Sequence, residues 1–222
     1  MKKITIFGPI RPKQIDNEDF QDHPGGTLPD GGNILYTHTA EKTCCGQKNG
    51  TIETIMSRRS IRNYKQVPVG RDTLNKIMEC GINAPNGMNK QSWEVRVVDN
   101  PEVMEKIKEA MAAANPEVNP DAVKGCFRDA PVMVFVANDP SYDCSPVDCG
   151  LLSENIMLSA WSMGVGSVCL GSPVRFLKHS EEALKILGFS EGYEPIICIG
   201  LGYANESPDA KPRDWNKVKF ID

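Results

Sequence analysis

Ser57-Arg58-Arg59-Ser60-Ile61-Arg62 is the stretch on which the fold assignment turns. It follows Thr51-Ile52-Glu53-Thr54-Ile55-Met56, where Ile52, Ile55 and Met56 recur at helical spacing, so a short amphipathic helix is expected to run straight into the basic cluster. Arg58, Arg59 and Arg62 then follow in close succession, with the Ser60 hydroxyl between them. Like charges this close repel one another, and an anion gripped by several guanidiniums offsets that repulsion. A solvated basic turn is the plain alternative on composition alone. The sequence downstream weighs against it.

The chain has 222 residues, 40% of them apolar, enough for one sizeable core in one domain. Lys and Arg number 25 against 29 Asp and Glu, a formal net charge of −4 that gives no global field to attract nucleic acid or an anionic membrane. The basic cluster is therefore a local device. Cys44, Cys45, Cys80, Cys126, Cys144, Cys149, Cys169 and Cys198 are scattered, several inside apolar runs, as buried thiols in a reducing compartment would be. No pair has CxxC spacing, and none of His23, His38 and His179 is placed as a partner ligand, so no metal site is expected.

The apolar run in Met1-Lys2-Lys3-Ile4-Thr5-Ile6-Phe7-Gly8-Pro9 is too short for an export signal. No membrane span is expected and the cytoplasm is the simplest location, although Cys44-Cys45-Gly46-Gln47 looks like the start of a mature bacterial lipoprotein without the preceding apolar segment. Residues 1–50, rich in Gly, Pro, Asp and Asn, read as an extended or partly disordered arm, and residues 51–222 as the folded domain.

Beyond the cluster, the spacing of Leu74, Ile77, Met78 and Ile82 predicts a helix from Gly70 to Ala84, stopped by Pro85. An amide-rich loop, Asn86-Gly87-Met88-Asn89-Lys90-Gln91-Ser92, leads into a strand from Trp93 to Val98. Pro101 to Ala114 reads as a helix and Asn115 to Asp129 as a long connection. Pro131 to Ala137 is a near-continuous apolar run, the signature of a strand buried on both faces. Asp148 to Met163 is a helix apolar around much of its circumference, hence either the central core helix or half of a subunit interface. A short strand and tight turn follow over Gly164 to Pro173, then a helix from Glu181 to Leu187 capped by Gly188, and a buried strand from Pro195 to Tyr203. The tail carries a further basic pair in Lys211-Pro212-Arg213.

Four stations in this order make the chain resemble the FMN-dependent nitroreductases over roughly Thr51 to Phe220. They are Arg58-Arg59-Ser60-Ile61-Arg62, the loop from Ala84 to Trp93, the turn Gly166-Ser167-Val168-Cys169-Leu170-Gly171, and Lys211-Pro212-Arg213. The resemblance implies an α+β fold with a central mixed, mostly antiparallel sheet surrounded by helices, in an intertwined homodimer with FMN at the subunit interface. It implies that Arg58, Lys211 and Arg213 clamp the FMN phosphate, that Arg59 and Ser60 line the ribityl chain, and that Arg62 lies near the pyrimidine edge of the ring. A permanent cation there stabilises the negative charge that two-electron reduction places on that edge. A backbone N–H of Leu170 or Gly171 would reach the flavin N5, and Pro85, Asn86, Gly87 and Asn89 would reach the flavin held mainly by the other subunit, with the helix from Asp148 largely interfacial.

The implied reaction is ping-pong: NAD(P)H, the co-substrate, gives a hydride to FMN and leaves, and a nitroaromatic, quinone or related small-molecule acceptor takes the electrons. No catalytic side chain is required by the hydride step, and none is assigned. The chain departs from the family pattern at Asn86 and Gly87, where many members have two serines, at Ser92, where many have Pro, and at Gly171, where some have Glu. Two other readings remain: a flavin-binding or flavin-processing module without general turnover, or a dehalogenating branch of the same superfamily.

Overall fold

The computed structural model describes residues 50–221, so the predicted arm lies outside the described residues except for Gly50, which opens the first helix. Four strands, β1 (Trp93–Val98), β2 (Val132–Asn138), β3 (Gly166–Leu170) and β4 (Glu194–Gly202), form one sheet in the order β1-β2-β4-β3. Every neighbouring pair is antiparallel, with a register irregularity between Val136 and Ala137 where β2 meets β4. The parallel component of the expected mixed sheet is a single bridge, Ser60 to Ser167, at the β3 edge.

β2 is buried along its whole length, as its unbroken apolar run requires. Because successive side chains point to opposite faces, Met133 and Phe135 enter one core while Val132, Val134 and Val136 enter the other. The first core is closed by α3 (Pro101–Ala113), α4 (Pro120–Gly125), α6 (Ser172–Leu177) and α7 (Glu181–Leu187); the second by α2 (Arg71–Ile82) and α5 (Ser145–Ser162). Layers of helix, sheet and helix make the fold α+β.

α5 is apolar around much of its circumference because most of it packs within its own chain. Leu152, Ile156, Met157 and Ala160 are buried between α2 and the sheet. Val147 and Leu151 face outward, so α5 is first a core helix and only along one stripe a candidate interface. α1 (Gly50–Ser57) is different: it buries no residue, and Ile55 and Met56 are each about half exposed. Trp161 of α5 ties it down, its indole N–H donating to the Ser57 hydroxyl at 2.9 Å.

Two helices fall in stretches read as connections. α4 lies within Asn115 to Asp129, its first turn capped by the Asn119 side chain, and α6 begins directly after Gly171 with Pro173 in its first turn. No helix among the described residues is long and apolar enough to cross a membrane.

Candidate functional site

The basic cluster leaves the end of α1 as an extended segment held on both sides. On one side Ser60 bridges Ser167 and the Ile61 N–H donates to the Ser167 carbonyl at 2.9 Å. On the other, the Lys65 N–H donates to Tyr203 O at 2.8 Å, the Asn205 N–H to Asn63 O at 3.0 Å, and Tyr64 bridges Ala204. The Glu206 carboxylate accepts the backbone N–H groups of both Arg62 and Asn63. Ile61 and Tyr64 are the inward side chains that peg the segment to the core, at 1% and 4% exposure. Between these pegs Arg62 is exposed, whereas Arg58 and Arg59 before them are half-buried.

The guanidiniums have few protein partners. Arg59 Nη1 donates to the carbonyls of Met56 and Arg58, Arg62 Nη1 to Ser60 O at 3.3 Å, and Arg58 Nε stands 3.8 Å from Glu154 of α5. Cys169, exposed near the end of β3, feels the same charges. Burial and then the Glu154 carboxylate push its thiol above the ordinary value, with Arg58 pulling the other way. Arg58, Glu154 and Cys169 therefore share one electrostatic neighbourhood, which brings the cluster to the end of β3.

Leu170 is buried, whereas Gly171 is exposed at the start of α6. Its φ of −90° suits any residue, and a Cβ there would meet nothing within 4 Å, so the fold itself does not demand glycine. What the glycine leaves is an open approach to the backbone amide.

The loop after α2 is the second station. Pro85 and Asn89 are exposed, Asn86 and Gly87 half-buried. The Asn86 side chain accepts the Gln91 N–H at 2.9 Å, and Met88, Asn89 and Gln91 all sit at left-handed φ near 50°. Non-glycine residues adopt that region only where their surroundings impose it. Here the imposition comes from α5: both carboxylate oxygens of the buried Asp148 accept the Gly87 N–H, at 3.1 and 3.2 Å, and the Ser92 hydroxyl lies 3.5 Å away. Asp148 and Glu154 are six positions apart on α5, about 9 Å of helix rise, so one rod carries the attachment points of both stations.

Gly87 also packs against a side chain from the segment between β2 and α5, Tyr142. A Cβ on residue 87 would lie 2.0 Å from the Tyr142 hydroxyl, and Lys90 Nζ sits 4.1 Å over the Tyr142 ring. Partial desolvation, then the Cys144 thiol, holds that phenol above its usual pKa, so it remains a donor at neutral pH.

Lys211 and Arg213 are exposed; Arg213 Nη1 donates back to Lys211 O at 3.1 Å. Among the described residues, no hydrogen bond or ion pair joins this pair to Arg58, Arg59 or Arg62. Asp148, Glu154, Glu206 and Tyr142 are the site-building residues missed from sequence, each acting across a long separation. An open cleft of about 730 Å³ between α1 and α5, bordered by Thr54, Ile55, Ser57, Leu158 and Trp161, contains none of the predicted cofactor residues.

The nitroreductase family pattern matches residues 55–203, which span both cores and three of the four stations. The chain belongs to the nitroreductase family. A protein of Methanothermobacter thermautotrophicus, provisionally named an NADH dehydrogenase/NAD(P)H nitroreductase, is 33% identical over 169 residues, 74% of this chain and 82% of that one. The NADPH-flavin oxidoreductase of Vibrio harveyi is 30% identical over 173 residues, 74% of this chain and 70% of its own. Among solved structures, a nitroreductase with bound FMN from Desulfitobacterium hafniense has a TM-score of 0.71 at 32% identity, covering 79% of this chain and all of its own.

The residues present suit such a group. Arg58 and Ser60 of the cluster lie beside β3, through Cys169 and Ser167, and the fully buried Ser167 hydroxyl has no hydrogen-bond partner among the described residues.

Proposed function

We propose that this nitroreductase-family chain is an FMN-dependent oxidoreductase that uses NAD(P)H to reduce nitroaromatic, quinone or related small-molecule acceptors. The observation that carries this is the pinned arginine segment. Its backbone is locked between β3 and the residues after β4, with Arg58 half-buried beside the end of β3 and Arg62 exposed. Bound FMN supplies the two-electron chemistry; the protein's part is to hold and orient it.

Arg58 would grip the phosphate, joined by Lys211 and Arg213 of the tail, each guanidinium offering a paired donor set that suits phosphate oxygens. Arg59 and Ser60 would line the polyol. Arg62 would place its permanent charge at the ring edge where negative charge develops on reduction, and the N–H of Leu170 or Gly171 would donate to N5. Pro85, Asn86, Gly87 and Asn89 would form a wall of the pocket in the other subunit.

The exposed apolar surface supports reading the protein as a homodimer. Ile55 and Met56 on α1, Val147 and Leu151 on α5, and Trp215, Val218, Phe220 and Ile221 of the tail lie open on a single chain. Large apolar groups left exposed in this way suit a contact surface. With the tail wrapped over a second copy, Lys211 and Arg213 would be carried toward a cluster they do not touch within their own chain. The six described cysteines are free thiols, in keeping with a reducing, cytoplasmic setting.

The test is direct. Purified protein should be yellow with flavin absorbance, migrate as a dimer, and oxidise NAD(P)H when menadione or nitrofurazone is supplied. A colourless protein that takes up no FMN would refute the assignment, and an FMN-loaded protein silent toward every acceptor would leave a flavin-binding module.

A further inference from the structure

The turn between β2 and α5 is built to hold one side chain in place. The Asp139 N–H donates to Ser92 O at 3.1 Å and to the Ser145 hydroxyl at 3.1 Å, and Ser145 Oγ donates in turn to Ser92 O at 2.6 Å. The Tyr142 N–H closes onto Asp139 O and the Ser145 N–H onto Tyr142 O. The turn is thus tied through Ser92 to the end of the 86–92 loop, and Tyr142 lies at its centre.

The ring is fixed as well as the backbone. Lys90 caps its face at 4.1 Å, well within the range of a cation–π contact. Its hydroxyl stands where any side chain on residue 87 would begin. The space that a side chain on residue 87 would fill is therefore taken by a hydroxyl delivered from a different segment. Loop and turn are also linked through one carboxylate, since Asp148 holds the Gly87 N–H and follows Tyr142 by six residues. Each of these ties removes freedom that the phenol would otherwise lose on binding a partner.

We propose that Tyr142 is a specificity-determining residue of the acceptor pocket: its hydroxyl takes the place of a side chain at position 87 and donates a hydrogen bond to the nitro or carbonyl oxygen of an aromatic acceptor lying against the 86–89 loop. The proposal rests on the reading of that loop as a wall of the flavin pocket. Lys90, seated on the ring, keeps the hydroxyl aimed and adds positive potential behind it. Acceptors that present an oxygen to this donor gain over those that exchange electrons without a seated complex.

The experiment compares reoxidation of the dithionite-reduced, FMN-loaded full chain by menadione and by ferricyanide, a one-electron acceptor that needs no such seat. Tyr142→Phe should lower the ratio of the menadione to the ferricyanide rate constant about fivefold, the worth of one neutral hydrogen bond. Gly87→Ala should lower the same ratio, because its Cβ evicts the hydroxyl, and the double variant should lose no more than either single one, because the same group is lost once. A second readout needs no flavin: in the apoprotein Gly87→Ala should reduce the melting temperature, and a Tyr142→Ala background should remove most of that loss. A ratio that stays within twofold in Tyr142→Phe, or menadione and ferricyanide rates that fall together, overturns the assignment of Tyr142 while FMN uptake leaves the proposed function standing. Native protein that takes up no FMN overturns the proposed function and this proposal with it.

Discussion

Replacing Asp148 by alanine isolates the contact that shapes the second station. The carboxylate is 3% exposed, and its oxygens share the Gly87 N–H at 3.1 and 3.2 Å, with the Ser92 hydroxyl at a marginal 3.5 Å. One charge-assisted bond contributes about 1.5–3 kcal/mol, and its removal also strands a half-buried N–H. Part of this is returned because the buried charge no longer has to be desolvated. The net cost is about 2 kcal/mol, a fall in melting temperature of about 4–8 °C for a domain of this size. Asp148→Asn keeps an amide oxygen for the Gly87 N–H and should lose about half as much. Urea melts of the apoprotein monitored by circular dichroism give both values, and FMN titration reports whether the loop still serves the cofactor. If Asp148→Ala costs less than about 0.5 kcal/mol, or if the two variants are indistinguishable, the carboxylate is not what holds the loop in its left-handed course.

At the α2–α5 contact, a Cβ on Gly81 would lie 2.6 Å from Ile156 Cγ1. Gly81→Ala should therefore destabilise despite a helix-propensity gain of up to about 1 kcal/mol, since overpacking costs about 1–3 kcal/mol, and Ile156→Ala should reverse the sign. Arg58→Ala and Arg213→Ala should each weaken FMN binding by about 1.5–3 kcal/mol in a fluorescence titration, whereas Arg62→Ala should shift the flavin midpoint potential; equal losses of affinity with no change of potential would contradict that division. Burial raises Cys126 from 9.0 to about 12 and Cys149 from 9.0 to about 11. The unfolded thiols ionise first, so this contribution to stability is intact below pH 9 and is lost as pH rises through about 11 to 12. Thiolate absorbance at 240 nm should then rise together with loss of the circular dichroism signal, and thiolates appearing well before unfolding would refute the link.

Where a local signal existed, the sequence carried the fold. The alternation of Trp93–Val98 and the helical spacing of Glu181–Leu187 marked β1 and α7 at their observed limits, and the apolar run of β2 announced burial on both faces. α4 and α6 stayed hidden because six residues display too little of a helical period, and each carries in its first turn a proline that reads equally well as a turn. The site divides in the same way. Clustered cations and an amide-rich loop were legible as motifs, but the groups that position them were not. Gly87 meets Asp148 across 61 residues and Arg62 meets Glu206 across 144, distances at which no periodicity connects one residue to another.

Those long separations bear on how the protein is made. The segment from Ser60 to Lys65 is zipped to β3 on one side and to residues 203–206 on the other, so its conformation depends on chain synthesised some 140 positions later. During translation the arginines emerge early and must wait, unanchored, until the chain through Glu206 has left the ribosome. A nascent chain stalled before Glu206 would have much of its core and no fixed cofactor cradle, which makes completion of the domain and readiness to bind FMN a single late event.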